Sequence, residues 1–270
     1  MANYKYGFIG AGNMGGALAA AAAKAVGGKN VVISDRDEDK AKDLASSIGA
    51  DFSDNESIAL SCDYIFLGVK PQVLGSMLGS IAKALKSRAG KYAVVSMAAG
   101  QSIETVRAAL GFDAPVIRIM PNTPASVGAG MILYDFSDNV SKKAVSGFLA
   151  SMATAGILDR LDEKLIDAAC AVSGCGPAFV DLFIEALSDG AVECGLPRDK
   201  ALLYAAQTVF GSAKLALESG KHPAQLKDAV CSPGGSTIAG VRALEERGFR
   251  AAAMDAVLEA YGKTVALGKK

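Results

Sequence analysis

This chain has little with which to do metal or nucleophile chemistry. It carries one histidine, His222, in 270 residues. No multi-histidine metal site can therefore be built, and no Ser-His or Cys-His pair can form away from that position. Tryptophan is absent and aromatic residues make up only 6%, so the core must rest on Ala, Leu, Val and Ile. Net charge is missing as well. The 28 Lys and Arg balance 28 Asp and Glu, with no basic run, which argues against binding nucleic acid or docking on an acidic membrane. The longest apolar stretch, Leu18 to Val26, is broken by Lys24 and is too short to span a bilayer. The strand pattern that starts at Lys5 predicts no signal peptide. Five cysteines (Cys62, Cys170, Cys175, Cys194 and Cys231) are odd in number and form no CxxC pair, which predicts reduced thiols in a cytoplasmic protein.

What the chain does have is Gly10-Ala11-Gly12-Asn13-Met14-Gly15, reached from the apolar run ending at Ile9. Glycines at the first, third and sixth positions between a strand and a helix form a dinucleotide-binding fingerprint. The helix that follows would offer bare N–H groups and a partial positive charge to a pyrophosphate. Asp35 lies about twenty residues beyond Gly15, where an acidic group can meet the adenosine ribose. Arg36 beside it could instead meet a 2′-phosphate. The pair points to NAD by one residue and to NADP by the other.

Short apolar runs then alternate with helical segments: Asn30 to Ser34, Tyr64 to Val69, Tyr92 to Ser96, Val116 to Met120, and short pieces at 131–134 and 157–161. Strands separated by helices predict right-handed crossovers and an α/β, Rossmann-like doubly wound parallel sheet. Ligands in such sheets sit beyond the carboxyl ends of the strands. That rule selects Gly10 to Met14, Asp35-Arg36, Gly68 to Pro71, Met97 to Ala99 and Met120 to Pro124. From about Asp162 the strand signal stops, and six helical segments follow. The expected division is a dinucleotide-binding domain over 1–160 and an all-helical dimerisation and substrate domain over 161–270. Helices such as the one carrying Phe179, Val180, Phe183, Ile184 and Leu187 are too widely apolar for solvent. They predict packing against a second copy, as a homodimer or larger homo-oligomer.

Within the helical half, Asp181, Glu185 and Asp189 share a helix face, which reads as a solvated acidic stripe more readily than a metal site. His222, between Lys221 and Pro223 at a helix entry, reads as a loop residue rather than a catalyst. Ser232-Pro233-Gly234-Gly235-Ser236-Thr237 is more unusual: two glycines free the backbone, and Ser236 is expected to cap the helix behind it. The result would be an anion seat of N–H donors and hydroxyls. Ser173-Gly174-Cys175-Gly176-Pro177 has a similar character.

Together, GFIGAGNM, the LGVKP strand end, SMAAG, the MPNTP turn, SGCGPAF and QLKDAVCSPGGSTIAGVRALEERGF resemble the pyrroline-5-carboxylate reductase family over nearly the whole chain. The family's middle turn is often Ser-Gly-Ser-Gly, and Cys175 here replaces the second serine. The resemblance implies NAD(P)H-dependent reduction of the C=N bond of 1-pyrroline-5-carboxylate to L-proline. It assigns Ile9, Gly10, Ala11, Gly12, Asn13, Met14, Asn55, Gly68, Val69, Lys70, Pro71, Met97, Ala98 and Ala99 to the cofactor, NADP(H) or also NAD(H), and puts Asp35 near the adenosine ribose or 2′-phosphate. Gly234, Gly235, Ser236 and Thr237 would seat the substrate, with Thr237 near the ring nitrogen as the catalytic group and Glu163 near the same pocket. The resemblance also implies a dimer of interlocked helical domains. The closest alternative is a hydroxy-acid dehydrogenase of the same two-domain plan, whose relatives place a lysine early in the long helix; Gly176 to Leu182 contains none. A nicotinamide-binding sensor or scaffold would have no use for the turn at 232–237.

Overall fold

The computed structural model describes residues 5–88 and 92–268. They form two compact units, one running to Cys175 and taking in the residues from Ala260 onward, the other Gly176–Glu259. In the first unit the strands are β1 (Tyr6–Ile9), β2 (Val31–Ser34), β3 (Asp51–Phe52), β4 (Tyr64–Leu67), β5 (Ala93–Ser96), β6 (Val116–Met120), β7 (Gly130–Phe136) and β8 (Gly156–Arg160). Between and after them lie α1 (Asn13–Val26), α2 (Glu38–Ile48), α3 (Asn55–Ser61), α4 (Pro71–Lys86), α5 (Ile103–Leu110), α6 (Lys142–Met152) and α7 (Glu163–Ser173).

The strands form one sheet in the order β3-β2-β1-β4-β5-β6-β7-β8. Order reverses between β1 and β4, the switch point at which such sheets bind ligands. Strands up to β6 are parallel, and β8 is parallel to β7, but β7 runs antiparallel to β6. The reason is the connection: only a short turn joins β6 to β7, whereas a parallel return needs a crossover such as α6. β1, β2, β4, β5 and β6 are buried throughout, as expected of strands covered on both faces. On one face Tyr6 stacks on Tyr64 and Phe8 on Phe66, with ring centroids 4.9 and 4.3 Å apart. These rings pack with Leu18, Ala41 and Phe148 of α1, α2 and α6. On the other face Ile65, Leu67 and Val94 meet Ile58, Leu78 and Val106 of α3, α4 and α5.

Two features depart from the sequence expectation. The two-residue strand β3 and the seven-residue α3 are too short to show a period; Asp54, accepting from the Ser57 N–H at 2.7 Å, starts α3. The units also part at 175 rather than 160, because Ile166 and Cys170 of α7 pack on Met120 and Leu133 of the sheet.

The second unit contains α8 (Gly176–Glu193), α9 (Arg198–Ser219), α10 (Pro223–Ala229), α11 (Ser236–Glu246) and the first half of α12 (Phe249–Gly268). Only Ser188, Ala201 and Ala205 are buried in residues 176–259. Phe179, Leu202, Leu203, Tyr204, Phe210 and Leu217 are all exposed. The helical run Glu163–Glu193 is long and apolar enough to cross a membrane by length and composition. It contains no long unbroken apolar run, because the charges along it interrupt the run without dominating its average.

Candidate functional site

The turn from β1 into α1 is built on close backbone contact. Gly10 has φ +111°, and a Cβ there would strike the carbonyl of Gly68 at the end of β4. A Cβ on Gly15 would strike the carbonyl of Gly10. Gly10 N–H donates to Ser34 O at 2.7 Å and Gly68 N–H to Ile9 O at 2.8 Å, so the ends of β1, β2 and β4 are tied together. Gly12 differs: nothing lies within 4 Å of its Cβ position, and α1 begins there with no side-chain cap. The first turn of α1 thus presents uncapped N–H groups next to open space, the arrangement that receives an anion.

Beyond these strand ends opens a cavity of about 980 Å³. Of the expected cofactor residues, Ile9, Gly10, Gly12, Asp35, Arg36, Asn55, Gly68, Val69 and Lys70 line it. Ala11 is buried behind the turn, Asn13 and Met14 open α1, and Pro71 opens α4. Met97, Ala98 and Ala99 do not line this cavity; they leave β5, two strands from β1. Both oxygens of Asp35 are engaged by the backbone, Oδ2 by Ala11 N–H at 2.6 Å and Oδ1 by Asp37 N–H at 3.0 Å. Its carboxylate therefore braces the fingerprint turn. Arg36 and Lys40 put two cations on the lining beside it, in addition to Lys70. Lys40 was not expected from sequence; it stands in the first turn of α2, four residues after Arg36. Asn55 accepts from the Ser34 hydroxyl and so ties the start of α3 to the end of β2. Uncapped helix start, room at Gly12 and the lining cations fit the phosphate groups of a dinucleotide.

Glu163 heads α7. Its Oε1 accepts from Ile103 N–H at 2.7 Å and lies 3.4 Å from Nη1 of Arg118. Arg118 is 4% exposed and also pairs with Asp167. Asn122, buried between Pro121 and Thr123, donates to Ser173 O at 2.9 Å and accepts from Met131 N–H at 2.9 Å.

In the second unit, Gly234 has φ +71° and Gly235 N–H donates to Ser232 O at 3.0 Å. A Cβ on Gly235 would strike the Ser232 hydroxyl. The cap position of α11 falls on Gly235, so Ser236 is the first helical residue and makes no side-chain cap. That corrects the expectation for Ser236, and it leaves the helix start bare. Thr237 follows, exposed. His222 stands at the expected helix entry and has a structural task there: its Nδ1 accepts from Ala224 N–H at 3.2 Å, capping α10 with Gln225 in return. Asp181, Glu185 and Asp189 line a cavity of about 920 Å³ with Arg198, which pairs with Asp189. Among the described residues no group of three His, Cys, Asp or Glu could hold a metal ion.

A family model described as pyrroline-5-carboxylate reductase dimerisation matches residues 163–267, and one described as NADP oxidoreductase, coenzyme F420-dependent, matches residues 5–100. The chain is 42% identical to a pyrroline-5-carboxylate reductase of Methanosarcina acetivorans, over all of both chains. It is 40% identical to that of Escherichia coli, over 98% of each. Among solved structures, a Plasmodium falciparum pyrroline carboxylate reductase with NADP bound matches with TM-score 0.88 and 35% identity, over 99% of each chain.

Proposed function

The chain belongs to the pyrroline-5-carboxylate reductase family, and from that membership we propose that it reduces the C=N bond of 1-pyrroline-5-carboxylate to L-proline with NAD(P)H. The observation that carries the reading to the chemistry is the bare start of α11 at Gly234-Gly235-Ser236-Thr237. When bound, the nicotinamide supplies the hydride. Backbone N–H groups at 234–237 receive the substrate carboxylate. The Thr237 hydroxyl hydrogen-bonds the ring nitrogen. In its protonated form the imine carbon is already electrophilic, and the nitrogen keeps its proton as the amine forms. Orientation and anion binding then supply most of what is needed, and no strong acid is required.

The fingerprint turn, Asn55, Gly68 to Pro71 and Met97 to Ala99 hold the cofactor. Arg36 and Lys40 supply cations for a 2′-phosphate while Asp35 is held by backbone N–H groups, which supports NADP(H). The exposed apolar helices of the second unit are covered by another copy of the chain, as a homodimer able to assemble further. Protein rather than membrane is the partner of these faces, since Asp181, Glu185 and Asp189 punctuate α8; the balanced charge and scattered thiols accord with a cytoplasmic enzyme. The test is oxidation of NADPH or NADH with 1-pyrroline-5-carboxylate, beside a panel of hydroxy acids with NAD⁺ or NADP⁺. Turnover is expected with the imine alone. Absence of imine turnover at saturating cofactor would overturn the reading.

A further inference from the structure

Two buried side-chain atoms among the described residues have no hydrogen-bond partner, Ser96 Oγ and Arg118 Nε. They are neighbours: Ser96 ends β5 and stands in register with Arg118 on β6. In paired strands such residues share a face. On that face Val116 and Met120 flank Arg118, packed towards α5 and α7 respectively. A buried guanidinium is costly unless its charge is met. Here Glu163 and Asp167, one turn apart on α7, meet it. Glu163 has a second task, because the same Oε1 accepts the Ile103 N–H that opens α5. Glu163 is itself fixed from behind, its N–H donating to Asp135 Oδ2 at 3.0 Å.

The segment caught between Ser96 and Ile103 is the loop that carries Met97, Ala98 and Ala99. It is anchored at one end by buried Ser96 beside Arg118 and at the other by the Glu163–Ile103 bond. The last turn of α12 also lies close against the loop: a Cβ on Gly100 would come within 3.0 Å of Gly268 N and 3.3 Å of Thr264 O. No charge of the Arg118 cluster is left over for a substrate carboxylate, which two carboxylates would in any case repel.

We propose that Glu163 is a positioning residue for the cofactor, fixing the Met97–Ala99 loop through Ile103 N–H with Arg118 as its buried anchor, and is not a substrate contact. This rests on the assignment of Met97 to Ala99 to the cofactor made above. The bond needs an acceptor at Glu163 and does not need its charge, since Asp167 also meets Arg118.

The test follows NADPH binding by the emission of NADPH itself, on the full chain without imine. Glu163→Ala is expected to raise the dissociation constant about tenfold or more, as a buried donor losing its acceptor does. Glu163→Gln, whose amide oxygen can still accept, stays within about threefold of the parent. The KM for the imine at saturating NADPH changes less than about twofold in both. Ile103→Pro gives an independent arm. It removes the donor at the first helical position, where proline is tolerated, and Ser102 already has the extended ψ of 164° that a following proline demands. It should weaken NADPH as Glu163→Ala does, while Ile103→Val does not. The proposal is overturned if Glu163→Ala leaves NADPH affinity intact and raises the imine KM, or if Glu163→Gln is as damaging as Glu163→Ala. Failure of imine turnover with NADPH still bound would overturn the proposed reaction and leave this test standing.

Discussion

The molecule starts two helices bare at glycine turns, and the two are built in opposite ways. At α1 the turn is enclosed by backbone: Gly10, Gly15 and Gly68 leave no room for side chains, and Ser34 and Ile9 carbonyls hold it. At α11 the turn stands in the open, on a helix with no buried residue. The first is therefore finished by a single chain, because the parallel sheet beneath it supplies the packing. The second lies in a unit that buries three residues in all and leaves Leu203 57% and Phe210 59% exposed. A rigid cradle and an exposed loop in one chain suit the division of labour proposed above, in which a fixed frame binds the cofactor and association completes the substrate seat.

Gly15→Ala attacks the enclosed turn most directly. Its methyl meets the Gly10 carbonyl, so a loss on the order of 3 kcal/mol or more is expected, seen as an early thermal transition or insoluble protein. Gly12→Ala sharpens the contrast, because that position is open. Its melting temperature should stay within about 2 °C of the parent while NADPH affinity falls about tenfold, by crowding the anion at α1. Equal melting of the two variants would break the distinction between glycines that build the turn and the glycine that serves it.

At the open turn the expectation inverts. Thr237→Ala should leave the melting temperature unchanged and lower kcat roughly ten- to a thousandfold, the range for a positioned hydrogen-bonding or proton-transfer group. Near-parent kinetics would remove Thr237 from the mechanism. Leu203→Asp probes the surface that this half of the molecule leaves uncovered. Burying a leucine is worth about 1.5–3 kcal/mol, so its loss should raise the dimer dissociation constant about tenfold or more, measured by sedimentation across a dilution series. An unchanged constant would separate α9 from the interface.

The smallest effect concerns α7, the helix between the two regions in sequence. Burial pushes the Cys170 thiol up to about 11, with Cys175 and Asp167 adding to it. A raised folded value stabilises the fold below the ordinary thiol value of 9.0, and that contribution is lost as pH climbs towards 11. Melting temperature should therefore fall across that window, by a few degrees, and fall less in Cys170→Ala.

Much of the first unit was legible because periodicity and turn chemistry are local. β1 with α1, β2, β4 and the helices behind them appear as runs of the right length, and the fingerprint names its own structural context. β3 and α3 were not, since two and seven residues carry no period. Arg118 was illegible for another reason. Within Val116–Met120 it reads as one polar residue in a strand, and the carboxylates that make it an anchor lie 45 and 49 residues later. Asp35 shows the same limit: the spacing found the residue, but the backbone N–H of Ala11 that occupies it is a tertiary fact. At α11 the sequence supplied the right turn and misplaced the cap by one residue, an ordinary error where glycine and serine compete for the cap position.

The contact between Gly100 and the last turn of α12 has a practical consequence. A loop that Gly268 approaches this closely, between buried Ser96 and hydrogen-bonded Ile103, has little room for an inserted residue, and shortening α12 should loosen a segment more than a hundred and fifty residues earlier. Engineering that needs tolerance for length, such as grafting a reporter or an affinity handle, belongs at the exposed link between α9 and α10, where Gly220 and Lys221 are in solvent.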